Sequence, residues 1–263
     1  DMKNVVITGS TRGIGFAMAN EFLKAGCRVT LSGRGETPPP RVMEELRPYQ
    51  DCFQYVSCDV MNKTALEALW SAAVLRFGEI DIWINNAGQN TPHAFIHNTE
   101  EQFVRSVVET NILGMILGSQ VAAKGMLAQE HGAIYSMEGL GSNNMIQVKT
   151  VLYGTTKHAL TYFMKGLAKE LEGSGIIAGR LSPGMMLTDF ITKTPDGTVA
   201  AIETDPSFRK IFNILADKPE TVAAYFVSEM LKNTRNNRQI AWLTGSKAAW
   251  RFMTAPFRKG RLV

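Results

Sequence analysis

"VVITGSTRGIG", residues 5–15, sets Gly9, Gly13 and Gly15 between a β-branched apolar run and a segment of helical period. Glycine there lets the chain turn tightly and lets a pyrophosphate approach the amides of a helix N-terminus, whose dipole favours an anion. Tight strand-to-helix turns also use glycine, so the spacing alone is weak. Its place directly after the first strand-like run marks Gly9, Ser10, Thr11, Arg12, Gly13, Ile14 and Gly15 as a dinucleotide loop.

Outward from that loop, apolar runs at 4–8, 27–32, 53–57, 80–85, 132–136, 176–181 and 240–244 alternate with helical patterns at 13–25, 62–77, 100–128 and 150–172. Continuously apolar strands separated by helices indicate a parallel sheet covered on both faces. The expectation is a doubly wound α/β Rossmann fold: a single domain over 1–263 with a seven-stranded parallel sheet. Residues 185–217 lack a strand pattern and hold a turn-rich break and a short helix, "DPSFRKIFNIL", which suits a substrate lid above the sheet. "TPPPR", 37–41, reads as a stiff connector.

With 45% hydrophobic and 20% charged residues the composition is that of a globular chain with ample core, so disorder is not expected. No signal peptide or membrane-spanning run is read, and three cysteines, Cys27, Cys52 and Cys58, without CxxC spacing suit buried thiols in a reducing compartment. Net charge is +4, but residues 231–263 carry eight basic and no acidic side chains, leaving −4 on the rest. The basic character belongs to the tail.

An NAD site wants an acid at the end of the second strand, whereas "LSGRG" supplies Ser32, Gly33 and Arg34. With Arg12 nearby, two guanidiniums and a hydroxyl suit a ribose phosphate, which points to NADP(H); the competing reading is two solvated surface arginines. Further on, "NNAG" closes the fourth run at 85–88, Asn111 lies in the long helix, and "YGTTK" puts Tyr153 and Lys157 on one helical face. An ammonium beside a phenol is expected to lower the tyrosine pKa towards the working range.

TGxxxGIG, NNAG, Asn, YxxxK and "SPGMMLT" (182–188), in that order, resemble the short-chain dehydrogenase/reductase family over nearly the whole chain. The resemblance implies that Tyr153 donates a proton, that Lys157 binds the nicotinamide ribose and tunes the tyrosine, and that Asn111 holds a relay water. It places Asp59 and Val60 at the adenine, Asn85, Ala87 and Gly88 along the nucleotide, and Pro183, Gly184 and Thr188 at the nicotinamide. It also implies a homo-dimer or homo-tetramer built on the helices at 100–128 and 150–172.

The family's catalytic serine is missing from its usual place. "GAIYSMEG" puts Glu138 and Gly139 there, with Ser136 too early and Ser142 too late. Either Ser142 swings back through a glycine-rich loop, or Tyr153 alone polarises the carbonyl; Glu138 reads as a second acid or, preferably, as a partly exposed loop carboxylate bonded to backbone. A Met–acid–Gly loop of this kind, with "NVVITGSTRGIG", "IDIWINNAG", "YGTTK", "SPGMMLTD" and "FNILADKPETVA", is similar to chlorophyll b reductases. That likeness implies reduction of the ring formyl group of chlorophyll(ide) b by NADPH, in a plastid for a plant enzyme or in the cytoplasm for a bacterial one.

"SKAAWRFMTAPFRKGRLV", 246–263, interleaves Trp250, Phe252, Met253 and Phe257 with basic residues. It fits a terminal helix with packed aromatics and solvated cations, or contact with a membrane surface or a carboxylate-bearing pigment; no base-reading motif supports nucleic acid. His93, His97, His131 and His158 form no metal-ligand set; His93 and His97 lie where substrate would enter, His131 in a turn, and His158 facing outwards. Reduction of another lipophilic carbonyl, and a dinucleotide sensor without turnover, remain as rivals; Tyr153, Lys157 and Asn111 together weigh against the sensor.

Overall fold

Each apolar run pairs with its neighbours in one sheet. The computed structural model describes residues 2–187, 195–197, 202 and 205–255. Strands β1 (Asn4–Ile7), β2 (Arg28–Gly33), β3 (Phe53–Ser57), β4 (Ile82–Asn85), β5 (Gly132–Met137), β6 (Ile176–Ser182) and β7 (Gln239–Ala241) stand in the order β3-β2-β1-β4-β5-β6-β7. Every pairing is parallel. The order reverses between β1 and β4, and it is outside the carboxyl ends of strands at such a reversal that open α/β sheets bind ligands.

Helices cover both faces. Helices α1 (Gly13–Lys24), α2 (Pro40–Leu46) and α8 (Pro219–Lys232) bury Phe22, Leu46 and Phe226 on one side. On the other, α3 (Lys63–Phe77), α5 (Gly114–Gln129) and α6 (Val151–Glu170) bury Leu69, Met126 and Met164. Trp83 and Tyr135, both fully buried, lie on opposite sides of the sheet. At roughly 1.5–3 kcal/mol for each fully buried large apolar side chain, two such layers supply the main term holding the strands in place.

Three features depart from expectation. The connector at 37–41 feeds α2, because Pro40 can occupy the first helical turn, where its missing N–H costs nothing. The single helix expected at 100–128 is α4 (Glu101–Val108), a π-helical turn Glu109–Leu113, and then α5. Helix α8 was not read as an element at all.

The candidate lid closes at its base. Met186 and Asp217 form a parallel bridge, so the two ends of the 185–217 segment meet beside the sheet. Within it α7 (Pro206–Leu215) starts at Asp205, whose carboxylate accepts from the amides of Ser207 and Phe208 at 2.8 and 3.1 Å. Ile202, Phe212 and Ala216 make a small core of their own there. The last described helix, α9 (Gly245–Thr254), is capped by Thr244, which accepts from the Lys247 amide.

Candidate active site

The glycine loop lies at the switch point and is fixed from β4. Asn86 donates from its side-chain amide to the carbonyls of Thr8 and Gly9 at 3.0 and 2.9 Å, and Thr8 Oγ1 accepts from the amides of Asn86 and Ala87. Gly9 has φ +62°, and a Cβ there would stand 2.7 Å from Ala87 Cα, so two loops approach as only glycine permits. Arg12 precedes α1 in extended backbone and its side chain makes no capping bond, leaving the first amides of α1 without a side-chain cap. That cradle fits a nicotinamide dinucleotide, with the pyrophosphate on the amides at the start of α1.

Parity along the strands corrects two expected contacts. Ser32 is fully buried with its hydroxyl turned to Ile7 O at 3.4 Å, and its amide donates to Ser10 Oγ, itself bonded to Ile7 O at 2.7 Å. Neither hydroxyl faces a ribose phosphate; Arg12 and Arg34 are exposed beside the crevice. Asn85 likewise points inward: its side chain accepts from Trp83 Nε1 at 2.9 Å and donates to Ser119 and Ser136. Asn86, which the sequence reading passed over, holds the loop instead.

Of the residues expected at the adenine, Asp59 accepts from the Met61 amide and Val60 packs against Gly114. Tyr55, also unforeseen, donates from its phenol towards the carbonyls of Gly33 and Gly35 at 3.0 and 2.5 Å, pinning the turn that carries Arg34. Gly88 lies beside Asn111 and Lys157, a Cβ there being 3.6 Å from Asn111 Oδ1 and 3.9 Å from Lys157 Nζ. Pro183 and Gly184 (φ +72°) follow β6, whereas Thr188 lies outside the described residues.

Tyr153, Lys157 and Asn111 converge. A Cβ at Gly139 would be 2.5 Å from Tyr153 Oη and 3.2–3.3 Å from Lys157 Cγ and Cε, so phenol and lysine share one wall. Lys157 Nζ stands 5.7 Å from the tyrosine ring centre and donates to Met137 O at 2.9 Å. Asn111 is buried in the π-helical turn, its Oδ1 accepting from the Gln89 amide at 2.7 Å and its Nδ2 donating to Gln89 O and to Thr156 Oγ1. Such single-turn π segments recur at functional sites because the added residue re-aims a side chain.

Electrostatically the pair differs from expectation. Burial pushes the Tyr153 phenol well above its ordinary value. Burial also brings the Lys157 ammonium down to about 8, against an upward pull from the Glu138 carboxylate. A low-dielectric pocket penalises phenolate and ammonium alike, so desolvation outweighs the expected lowering of the tyrosine by lysine. Burial thus favours the protonated phenol.

The segment standing where the serine pattern would fall grips the lysine. Ser136 faces the core with its hydroxyl on Met164 Sδ. Ser142 does not swing back to the tyrosine: its hydroxyl donates to Lys157 O at 3.2 Å and accepts from the Gly139 amide at 3.2 Å. Glu138 is no exposed loop carboxylate and no acid aimed at the crevice. It is 2% exposed, accepts from Thr161 Oγ1 at 3.1 Å and Gln239 Nε2 at 2.5 Å, and has Arg180 Nη1 3.7 Å away.

Of the histidines expected near substrate entry, His97 stacks on the Phe95 ring at 5.6 Å, and Lys149 Nζ lies 5.3 Å over the same ring. His93 is held below its ordinary pKa by burial and by Lys149. His131 Nδ1 lies 3.2 Å from Gln129 O, which can only accept from it, and His158, though exposed, reaches Gly141 O at 3.2 Å. In the tail the reading of packed aromatics and solvated cations is inverted for the described residues. Arg251 is the buried residue of α9, bonded to Leu215 O and Asp217, while Trp250, Phe252 and Met253 are 47–69% exposed. Phe257 and the basic residues at 258–261 lie outside the described residues.

Among the described residues no cluster could hold a metal, no helix is long and apolar enough to cross a membrane, and the three cysteines are free thiols. Fold, uncapped helix terminus and Tyr–Lys–Asn cluster define a dinucleotide-dependent oxidoreductase domain. A family model described as short chain dehydrogenase matches residues 3–198, and the chain belongs to that family.

Among curated relatives, the probable chlorophyll(ide) b reductase NYC1, chloroplastic, of Oryza sativa subsp. japonica is 32% identical over 98% of this chain and 53% of its own length. The chlorophyll(ide) b reductase NOL, chloroplastic, of Arabidopsis thaliana is 32% identical over 93% of this chain and 71% of its own. The chain thus spans about half the length of the first of these relatives. Momilactone A synthase of Oryza sativa subsp. japonica is 37% identical over 71% of this chain and 67% of its own length. In structure, an actinorhodin polyketide ketoreductase variant with NADPH superposes with a TM-score of 0.81 at 26% identity, covering 94% of this chain and 98% of that one.

Proposed function

We propose that this chain is an NADPH-dependent carbonyl reductase whose substrate is the formyl group of chlorophyll(ide) b, reduced to hydroxymethyl. The observation that carries the reading is the Met137–Glu138–Gly139 segment: glycine stands where the serine pattern would fall, and the Tyr153 hydroxyl lies against it beside Lys157. An unhindered formyl group conjugated to a macrocycle is electrophilic, so it tolerates the loss of one polarising hydroxyl. Likeness to chlorophyll(ide) b reductases over nearly the whole chain supports the same substrate. Exposed Arg12 and Arg34, with no acid ending β2, support NADPH over NADH.

When bound, NADPH supplies the hydride. The glycine loop and the start of α1 hold its pyrophosphate, and Arg12 and Arg34 bind the ribose phosphate. Tyr153, kept protonated by burial, hands its hydrogen to the carbonyl oxygen as negative charge develops there. The buried Lys157 ammonium stabilises the phenolate left behind, and Asn111, clamped by Gln89 and Thr156, holds the outlet for proton resupply.

The test is NADPH oxidation with chlorophyllide b beside a panel of aldehydes and ketones, for wild type and Tyr153→Phe. The pigment should be turned over, and the variant should bind NADPH normally while losing about 10³-fold in kcat/KM. Turnover of the panel without the pigment would favour another lipophilic carbonyl, the reading that the likeness to momilactone A synthase supports. NADPH binding with no turnover of any compound would favour the sensor.

A further inference from the structure

We infer that Glu138 is a positioning residue that acts through Lys157: its buried carboxylate is the counter-charge that keeps the catalytic ammonium charged inside the protein. This rests on the oxidoreductase reading of the site but not on the identity of the carbonyl.

The geometry is a closed net. Met137 O takes the Lys157 ammonium, and the next residue, Glu138, turns its carboxylate into the space beneath α6. Thr161, one turn after Lys157, donates to Lys157 O at 3.2 Å and to Glu138 Oε1 at 3.1 Å, so one hydroxyl registers the carboxylate against the lysine's own backbone. From β7, Gln239 holds the other carboxylate oxygen at 2.5 Å, and the Glu138 amide donates to Leu181 O on β6. Glu138 and Lys157 are 2% and 6% exposed, so little water screens one from the other.

The charged groups facing Lys157 come from each packed element. Tyr153 on its own helix is neutral, Glu138 at the end of β5 is the carboxylate acting on it, and the cation Arg180 on β6 lies against that carboxylate. Arg180 Nη1 is 3.7 Å from Glu138 Oε1, and its Nε is buried without a hydrogen-bond partner. Of these two cations only the lysine can lose its proton inside a protein, so the carboxylate bears on the charge state of Lys157. Neutralising Arg180 alone would also require a buried acid, but it would not require one registered by Thr161 to the lysine's own turn.

The experiment is the pH profile of kcat/KM, on any carbonyl that supports turnover, together with the pH dependence of NADPH affinity read by cofactor fluorescence. Wild type, Glu138→Gln and Glu138→Asp are compared, each first checked for folding by circular dichroism. In wild type both quantities fall as pH rises through about 8 and Lys157 loses its proton. In Glu138→Gln the alkaline limb should move about one pH unit to the acid side, roughly a fivefold deficit at pH 8 that approaches tenfold by pH 9, beyond any loss at pH 6. Glu138→Asp keeps the charge but withdraws it by one methylene, so its smaller shift of the same sign serves if the glutamine variant does not fold. Folded variants whose alkaline limbs superimpose on wild type, whatever their melting temperatures, would overturn the inference and leave Glu138 as the partner of Arg180 alone. Loss of turnover on every carbonyl, with the affinity limb still shifted, would instead count against the proposed reaction.

Discussion

At the scale of a single residue, Gly139 decides what kind of site this is. Any side chain there begins 2.5 Å from the Tyr153 hydroxyl and 3.2 Å from Lys157 Cγ, closer than packed atoms tolerate. Restoring a serine therefore displaces the phenol before its hydroxyl can polarise anything. Gly139→Ser should lower kcat/KM by at least about tenfold, since misplacing a reacting group by an ångström can cost about 10²-fold. A gain in steady-state rate on the same carbonyl would show a site merely impaired, with room to spare beside the tyrosine. The residues flanking Gly139 point to adaptation: Met137 O holds the ammonium, Glu138 supplies charge, and Ser142 bonds the lysine carbonyl.

At the scale of elements, the crevice is assembled from strand ends, and strand parity decides which side chain reaches it. The sequence made the seven-stranded parallel sheet and the Tyr–Lys–Asn cluster readable, because apolar runs and motif order carry that information directly, whereas the order of the strands was not read. Parity was not readable: strands buried on both faces lack the polar alternation that marks an outward side, so Asn85 and Ser32 were assigned to the nucleotide while Asn86 and Tyr55 were passed over. The π-helical turn escaped for a related reason, since one added residue barely disturbs a long apolar periodicity yet turns Asn111 towards Gln89 and Thr156. Burial of Glu138 depends on Thr161 and Gln239, 23 and 101 residues away in sequence, and no local pattern announces it.

Tyr55 fixes the Gly33–Gly35 turn, so Arg34 is presented on a tethered loop that limits the entropy lost when it binds. Arg34→Ala should weaken NADPH binding about tenfold, the worth of one charge-assisted hydrogen bond at roughly 1.5 kcal/mol, and leave NADH almost unchanged. Equal losses for both cofactors in fluorescence titrations would remove the ribose phosphate from that position.

Over the whole molecule, groups buried by the two helical layers tie stability to pH with opposite signs. The Cys58 thiol, buried beside Asp59, is pushed up to about 12, while in the unfolded chain it would ionise near 9. The folded state keeps a proton that the unfolded state loses, so this stabilisation is complete below pH 9 and is lost as pH rises through 12. Cys27, Tyr135 and Tyr153, raised mainly by burial, act in the same direction. Lys157 acts oppositely: brought down to about 8, it is deprotonated in the fold while the unfolded lysine is still charged, so between about 8 and 10.5 it favours the fold increasingly as pH rises. Comparing wild type with Cys58→Ala cancels every group but the thiol. Urea unfolding of the pair should show a constant difference in stability below pH 8.5 and, above pH 9, a wild-type disadvantage growing by about 1.4 kcal/mol per pH unit. A difference that stays flat to pH 10.5 would mean that water reaches the thiol and that the layer over β3 is looser than its packing implies.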